Sequence, residues 1–137
     1  MSTRRFSCQR ESVSAARQFA RAALGRQSSE TLDAVELMVS ELATNCVQHA
    51  ESDFEIAVDV SKPEIRIEAR DTGGGRPAPR SPTPSEPTGR GLRIVEAMSD
   101  SWGIVPAARG KTVWFTIARR PLSAHEGRRC STPSPAG

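Results

Sequence analysis

The sequence predicts an α+β domain: a two-layer sandwich in which a mixed, mainly antiparallel sheet carries helices on one face. Three observations lead to this prediction. Apolar and polar residues alternate over 54–60 and 65–69, as they do in half-buried strands. A similar alternation returns at 113–117. Apolar residues recur at three- and four-residue spacing over 13–24 and 35–50, which is typical of amphipathic helices.

Length and charge limit the classes of function. The chain has 137 residues and a net charge of +3, enough for one domain with its own core, which we place at residues 1–119. No apolar run approaches the roughly 18 residues of a membrane span, and the N-terminus lacks the apolar segment of a signal peptide. We therefore expect a cytoplasmic protein without a membrane partner. Basic residues are scattered without interleaved aromatic residues, which argues against direct nucleic-acid binding.

One strand and two helices are expected in the N-terminal part. They are an edge strand near Arg5–Cys8, a helix that Ser12 or Ser14 caps and that ends near Leu24, and a helix that Ser29 caps and that runs from about Glu30 to Ala50. The three cysteines have no metal-ligand spacing, and Cys46 falls on the apolar stripe of the second helix. We expect it to be a core residue.

Two hairpins and a third helix are expected after that. They are strands over 54–60 and 65–69 with a turn at Ser61–Pro63, a helix from Leu92 to about Asp100, and strands over 102–104 and 113–117 with a turn at 106–110. Residues 72–88 are rich in proline and poor in apolar residues, and the flanking glycines favour a mobile lid over a linker. Residues 120–137 show no hydrophobic period and are expected to be a disordered tail.

The second helix has a polar line beside its apolar stripe. Glu41, Asn45 and His49 recur every four residues, so their side chains stack along one edge of a helix. A carboxylate can accept a proton, and an amide oxygen suits a hard cation such as Mg²⁺. His49 is a secondary candidate for a phosphate contact. Such a line is also typical of a solvated helix edge, and both interpretations stay open on this pattern alone.

Two glycine-containing stretches follow. The first, Asp71-Thr72-Gly73-Gly74-Gly75, comes directly after a strand, where glycines let the backbone turn sharply and approach a ligand closely. The second, Gly89-Arg90-Gly91-Leu92, opens a helix, whose free N–H groups and dipole favour an anion such as phosphate. It is neither a Walker loop nor a dinucleotide fingerprint. Taken alone, the first stretch is also compatible with a plain turn. Arg90 is equally compatible with a solvated surface residue that contacts no phosphate.

Three stretches resemble, in their order and spacing, the three motifs of the GHKL ATP-binding superfamily. They are E-x-x-x-N at Glu41 and Asn45, D-x-G-x-G at Asp71 and G-x-G-L at Gly89. The short length and the closing stretch Gly110-Lys111-Thr112-Val113-Trp114 resemble its stand-alone subgroup, the bacterial anti-sigma factor serine kinases. The resemblance runs from about residue 10 to residue 119. It implies the histidine-kinase-like ATP-binding fold, with residues 72–88 as the ATP lid and with ATP and Mg²⁺ as the cofactors.

The resemblance also implies roles for individual residues. Glu41 would be the catalytic general base and Asn45 the magnesium ligand. Asp71 would accept a hydrogen bond from the adenine amino group, with Thr112 close to the base. The residues that would contact the nucleotide are Asn45, Asp71, Gly73, Gly75, Gly89, Arg90, Gly91, Leu92 and Thr112.

By the same resemblance, the protein would bind a sigma factor and phosphorylate a serine of an anti-anti-sigma (STAS-type) partner. A homodimer is left open. The main alternative is an ATP-binding protein-interaction module without significant kinase activity. A second is the ATP domain of a two-component histidine kinase, although the chain has no room for a dimerising helix pair with a phospho-accepting histidine. A third is an ordinary α+β domain with coincidental motifs.

Overall fold

Five strands and three α-helices form the fold of the computed structural model, which describes residues 1–61, 63–73 and 89–119. The elements are β1 Ser2–Phe6, α1 Glu11–Leu24, α2 Ser29–Asn45, β2 Phe54–Val60, β3 Glu64–Asp71, α3 Gly89–Met98, β4 Ser101–Pro106 and β5 Lys111–Ala118. The strand order is β1-β2-β3-β5-β4. The predicted α+β fold is confirmed, and the sheet is antiparallel between all neighbouring strands of the described ranges rather than mixed.

The first strand and the first helix begin earlier than the sequence predicted. β1 precedes the expected position because its pairing with β2 places Phe6 opposite Phe54, and these two rings stack with centroids 5.4 Å apart. The residue before α1 is Arg10, which makes no side-chain capping hydrogen bond. Neither Ser12 nor Ser14 is therefore the cap, and Ser12 instead lies buried within the helix.

The second helix is shorter than predicted and ends in a π-turn. Its cap is Ser28, one residue before the predicted Ser29, and the Ser28 side chain accepts a backbone hydrogen bond from the first turn. α-Helical structure stops at Asn45, and residues Cys46–Ala50 form the π-turn. Glu51 follows in the left-handed conformation with φ of 50° and donates its N–H to the carbonyl of Cys46.

Side chains from the sheet and from the helices share one core. The largest fully buried side chains are Phe54, Phe115, Met38, Leu42, Ile56, Ile65, Ile67, Val35, Val39, Val58 and Val95. Burying a large apolar side chain stabilises a fold by about 1.5–3 kcal/mol. Because α2 supplies four of these residues and also contacts α1, α3 and β3, the core fixes α2 against the sheet.

Both predicted hairpins are present. The turn between β2 and β3 closes with a hydrogen bond of 2.9 Å from the N–H of Ser61 to the carbonyl of Glu64. The turn between β4 and β5 closes with a bond of 3.0 Å from the N–H of Ala107 to the carbonyl of Gly110. In the antiparallel register of β3 and β5, Arg70 lies opposite Thr112, so the ends of the two strands lie side by side.

The face of the sheet away from the helices is polar. Arg70 forms ion pairs with Glu55 and Glu68, and the guanidinium of Arg66 lies 4.3 Å from the centroid of the Trp114 ring. These residues alternate along their strands with the buried ones, as the pleat of a strand requires. Trp114 packs against Arg66 on this outer face.

The predicted lid and tail lie mostly outside the described residues, since 74–88 and 120–137 are not among them. α3 begins at Gly89 and ends at Met98, slightly before the predicted helix. Within the described ranges, no helix is long and apolar enough to cross a membrane.

Candidate functional site

Asp71 is a buried carboxylate at the end of a strand. It is the last residue of β3, and its side chain is only 3% exposed. The N–H of Gly73 donates to its Oδ1 at 3.0 Å, and the ammonium of Lys111 donates to its Oδ2 at 3.0 Å. A buried carboxylate is costly unless it is paired and hydrogen-bonded. These two contacts explain why the charge is tolerated here.

Two glycine turns pack directly against this carboxylate. Gly73 and Gly110 both have positive φ, at 78° and 79°. A Cβ on Gly110 would lie 2.3 Å from the carbonyl oxygen of Asp71 and 2.4 Å from its Oδ1. A Cβ on Gly73 would lie 2.8 Å from the backbone nitrogen of Gly110. Only glycine allows the β4–β5 turn to approach the end of β3 so closely.

Ser52 connects the end of α2 to the same corner of the sheet. It is 4% exposed, and its Oγ accepts a hydrogen bond of 3.2 Å from the N–H of Thr72. The same hydroxyl donates to the carbonyl of Asp53 at 2.8 Å. The N–H of Ser52 donates to the carbonyl of Cys46 at 3.3 Å, inside the π-turn. The segment that follows Asp71 is thus held to the segment that follows α2.

The buried thiol of Cys46, at the end of α2, is influenced by the charge of Asp71. Burial raises the pKa of Cys46 to about 12, and the negative charge of Asp71 contributes in the same direction. Cys46 is 5% exposed and belongs to the core, as predicted. Its Sγ is therefore a protonated, buried group at neutral pH, and its surroundings show that the end of α2 lies near Asp71.

Glu41 and Asn45 lie one turn apart on α2, each partly exposed. Within the described part of the chain, neither side chain makes a hydrogen bond or an ion pair, so both are available to a ligand. His49 does not continue their line as the sequence suggested. It is exposed and lies on the π-turn, where i→i+5 bonding rotates residues out of the four-residue register.

The N-terminus of α3 supplies the third group of predicted contacts. α3 packs against α2 through Leu92 and Val95, which are buried in the common core. The first backbone N–H groups of a helix have no partner within the helix and are suited to bind an anion. The helix begins at Gly89, and its first turn includes Gly91. The predicted contacts of the Arg90 side chain and of Gly75 lie outside what the structure describes.

The structure places Thr112 and Lys111 on opposite faces of the sheet. Thr112 lies opposite Arg70 and so belongs to the outer face, away from the helices. Lys111, its neighbour, lies on the inner face and reaches Asp71. Sequence reasoning did not select Lys111 as a site residue. A signal was present, because the chain has only two lysines among 19 basic residues.

The described residues fit a magnesium-bound nucleotide in their donor chemistry. Asp71 is a pure acceptor with a fixed orientation, which suits an amino group on a base. Asn45 offers a single amide oxygen. In the described ranges there is no group of three or more His, Cys, Asp or Glu residues that could hold a metal by itself. A cation at Asn45 would take its other ligands from phosphates and water, which is the usual coordination of Mg²⁺.

Comparison with known proteins agrees with this chemistry. A family model described as a histidine kinase-like ATPase domain matches residues 6–117. The matched segment begins at the end of β1 and ends within β5, and so contains all the described site residues. No curated protein matches the chain significantly.

Proposed function

Because the chain belongs to the family of histidine kinase-like ATPase domains, which indicates ATP binding and ATP-dependent phosphotransfer in general, we propose that it is a regulatory kinase of the anti-sigma type. It binds a sigma factor and uses ATP with Mg²⁺ to phosphorylate a serine of an anti-anti-sigma (STAS-type) partner. The observation that carries the nucleotide part of the proposal is the buried, oriented carboxylate of Asp71. The subgroup rests on the resemblance of the motifs and of the closing Gly110–Trp114 stretch.

Asp71 selects the base. Its ionised carboxylate accepts a hydrogen bond from the exocyclic amino group of adenine, whereas guanine carries a carbonyl oxygen at that position. Two acceptors facing each other in a buried site leave both without a donor, which costs about 1–3 kcal/mol for each unsatisfied group. A site built in this way rejects the wrong base strongly.

The two side chains on α2 serve the phosphates. Glu41 accepts the proton from the serine hydroxyl of the partner as the phosphoryl group is transferred, and a carboxylate is ionised at neutral pH. The amide oxygen of Asn45 binds Mg²⁺, which neutralises phosphate charge when it is bound. The spacing of one helical turn lets both residues face the same triphosphate. The backbone N–H groups at the start of α3 bind phosphate oxygens from the other side.

The test is a transfer assay paired with a binding assay. The wild-type protein is incubated with γ-labelled ATP, Mg²⁺ and a panel of STAS-type proteins, and each acceptor is also tested with its candidate serine replaced by alanine. We expect label on the acceptor that is lost in the alanine variant, together with a larger thermal shift with ATP than with GTP. ATP binding without transfer to any acceptor would favour the interaction module instead. Equal shifts with ATP and GTP would contradict the role of Asp71.

A further inference from the structure

The ammonium of Lys111 pairs with the buried carboxylate of Asp71. The Lys111 side chain is 29% exposed, whereas that of Asp71 is 3% exposed. The ammonium donates to Oδ2 at 3.0 Å. We propose that Lys111 is an internal competitor for the base, occupying the acceptor that an adenine amino group needs, and that it thereby sets the affinity for nucleotide. The inference rests on the proposed function, because it takes Asp71 as the base-binding residue.

Only one oxygen of Asp71 is left for a ligand. Oδ1 accepts from the N–H of Gly73 and is pressed against Gly110, where even a Cβ would lie 2.4 Å away. A base cannot approach through that space. Oδ2 is the remaining acceptor, and Lys111 already holds it. An amino group that takes this position on Asp71 therefore requires the ammonium to move.

Lys111 is suited to such a displacement. It is the first residue of β5, directly after the positive-φ turn at Gly110, and its partly exposed side chain has a route to water. A lysine ammonium makes a single point contact on a flexible four-carbon stem. An arginine is more weakly hydrated and is the usual residue for a buried ion pair, so it would leave the carboxylate less readily. Lys62 and Lys111 are the two lysines of a chain that otherwise uses arginine. At this position, a lysine is released from the carboxylate more easily than an arginine.

The ion pair has opposite effects on the free and the bound protein. In the free protein, it compensates a buried charge that would otherwise be unpaired, so it raises stability. For binding, it means that only the fraction of molecules with Lys111 displaced is competent. The apparent dissociation constant rises by the inverse of that fraction. Removing the ammonium should therefore weaken the free fold and strengthen nucleotide binding, two changes that a simple structural residue would not combine.

The experiment compares Lys111→Met with Arg109→Met, a matched control that removes one positive charge from an exposed residue of the same turn. Measurements are made at pH 8. Melting temperature is recorded without nucleotide, and ATP and GTP affinities are measured by calorimetry with Mg²⁺. For Lys111→Met we expect a melting temperature several degrees lower and an ATP dissociation constant about 3- to 10-fold lower. Arg109→Met should change neither.

A second variant keeps the test decisive if Lys111→Met does not fold. Lys111→Arg retains the charge, and because a guanidinium is more weakly hydrated than an ammonium it should leave Oδ2 less readily and weaken ATP binding about threefold or more. ATP affinity that is unchanged or weaker in Lys111→Met, in a wild type that binds ATP, overturns the inference and leaves the proposed function intact. If Lys111→Met is unfolded, an unchanged ATP affinity in Lys111→Arg overturns it. Absence of ATP binding in the wild type and every variant overturns both.

Discussion

The two ends of the candidate site are built differently. At Asp71, the polar groups are buried, hydrogen-bonded and pressed between two glycine turns. On α2, Glu41 and Asn45 are partly exposed and, within the described residues, have no side-chain partners. The first end is organised by contacts within the fold itself. The second is held only by its helix. Substitutions at the first end should therefore alter stability and binding together, whereas those at the second should alter activity with little change in stability.

The largest effect should come from the loosely held end. We expect Glu41→Ala to reduce serine phosphorylation by roughly 10²–10⁴-fold, because a general base contributes about that factor. ATP affinity should stay within a small factor of wild type, and the melting temperature should not change, since Glu41 has no described partner to lose. Transfer rate, ATP affinity and melting temperature are measured on the same preparation.

Asn45→Ala is the comparison for that variant. It should weaken both transfer and the affinity for magnesium-bound ATP, because losing the metal ligand loosens the phosphates as well. Normal transfer by Glu41→Ala would show that Glu41 is only a polar residue on a helix edge.

The next largest effect should appear at the tightly packed end. Gly110→Ala places a Cβ against the carbonyl and carboxylate oxygens of Asp71 and forces a positive φ on alanine. We expect the free energy of unfolding to fall by about 2–4 kcal/mol, measured by urea denaturation. Gly25→Ala is the matched control: φ is 70° there, but a Cβ would meet nothing within 4 Å. Equal losses in the two variants would mean that the collision with Asp71 has no cost.

Asp71→Asn should have a smaller effect on stability and a specific effect on selectivity. The amide presents a donor where the carboxylate accepted, so we expect the free energy of unfolding to fall by about 1–3 kcal/mol. We also expect a smaller difference between the thermal shifts with ATP and GTP. Asp59→Asn removes the same charge from the outer face of β2 and should leave the ATP preference unchanged. A full ATP preference in Asp71→Asn would exclude this carboxylate as the selecting group.

The last effect appears only at alkaline pH and concerns the buried thiol that lies between the two ends. The pKa of Cys46 is raised to about 12, above its ordinary value of 9.0. Below the ordinary value the thiol is protonated in both states, so its contribution to stability is fully present. As pH rises from there toward 12, the unfolded state loses the proton first. The free energy of unfolding should then fall by up to ~1.4 kcal/mol per pH unit.

Replacing the thiol tests that pH dependence. Cys46→Ala should remove this component of the decline at alkaline pH, whereas Cys8→Ala should retain it. The comparison uses urea denaturation at several values between pH 8 and pH 11, with each variant referred to its own stability at pH 8. An unchanged alkaline slope in Cys46→Ala would show that the decline comes from other groups.

The fold class followed from the sequence because periodicity reports directly on burial. Residues 54–60 and 113–117 alternate, and strands are found there. The contact between Lys111 and Asp71 could not be predicted in the same way. It depends on the register between β3 and β5, two strands that α3 and β4 separate along the chain, and not on any local pattern. For the same reason, the sequence did not reveal whether Lys111 or Thr112 faces the helices.

The end of α2 shows the same limit on a smaller scale. A four-residue spacing placed His49 in line with Glu41 and Asn45, but the chain leaves α-helical geometry at Cys46. The cause is tertiary. The Cys46 carbonyl accepts from both Glu51 and Ser52, and Ser52 in turn holds Thr72 beside Asp71. A pattern read from one helix does not include the bonds that its last turn makes with another segment.

The π-turn also has a consequence for changes in chain length. An i→i+5 turn holds one residue more than an α-helical turn of the same extent. We expect that deleting one residue from Cys46–Ala50 lets the helix continue without interruption. The chain beyond it would rotate by about a quarter of a revolution, since an α-helix has about 3.6 residues per turn. Ser52 would then lose its place next to Thr72. The extra residue thus sets the angle by which the chain is rotated between the end of α2 and the start of β2.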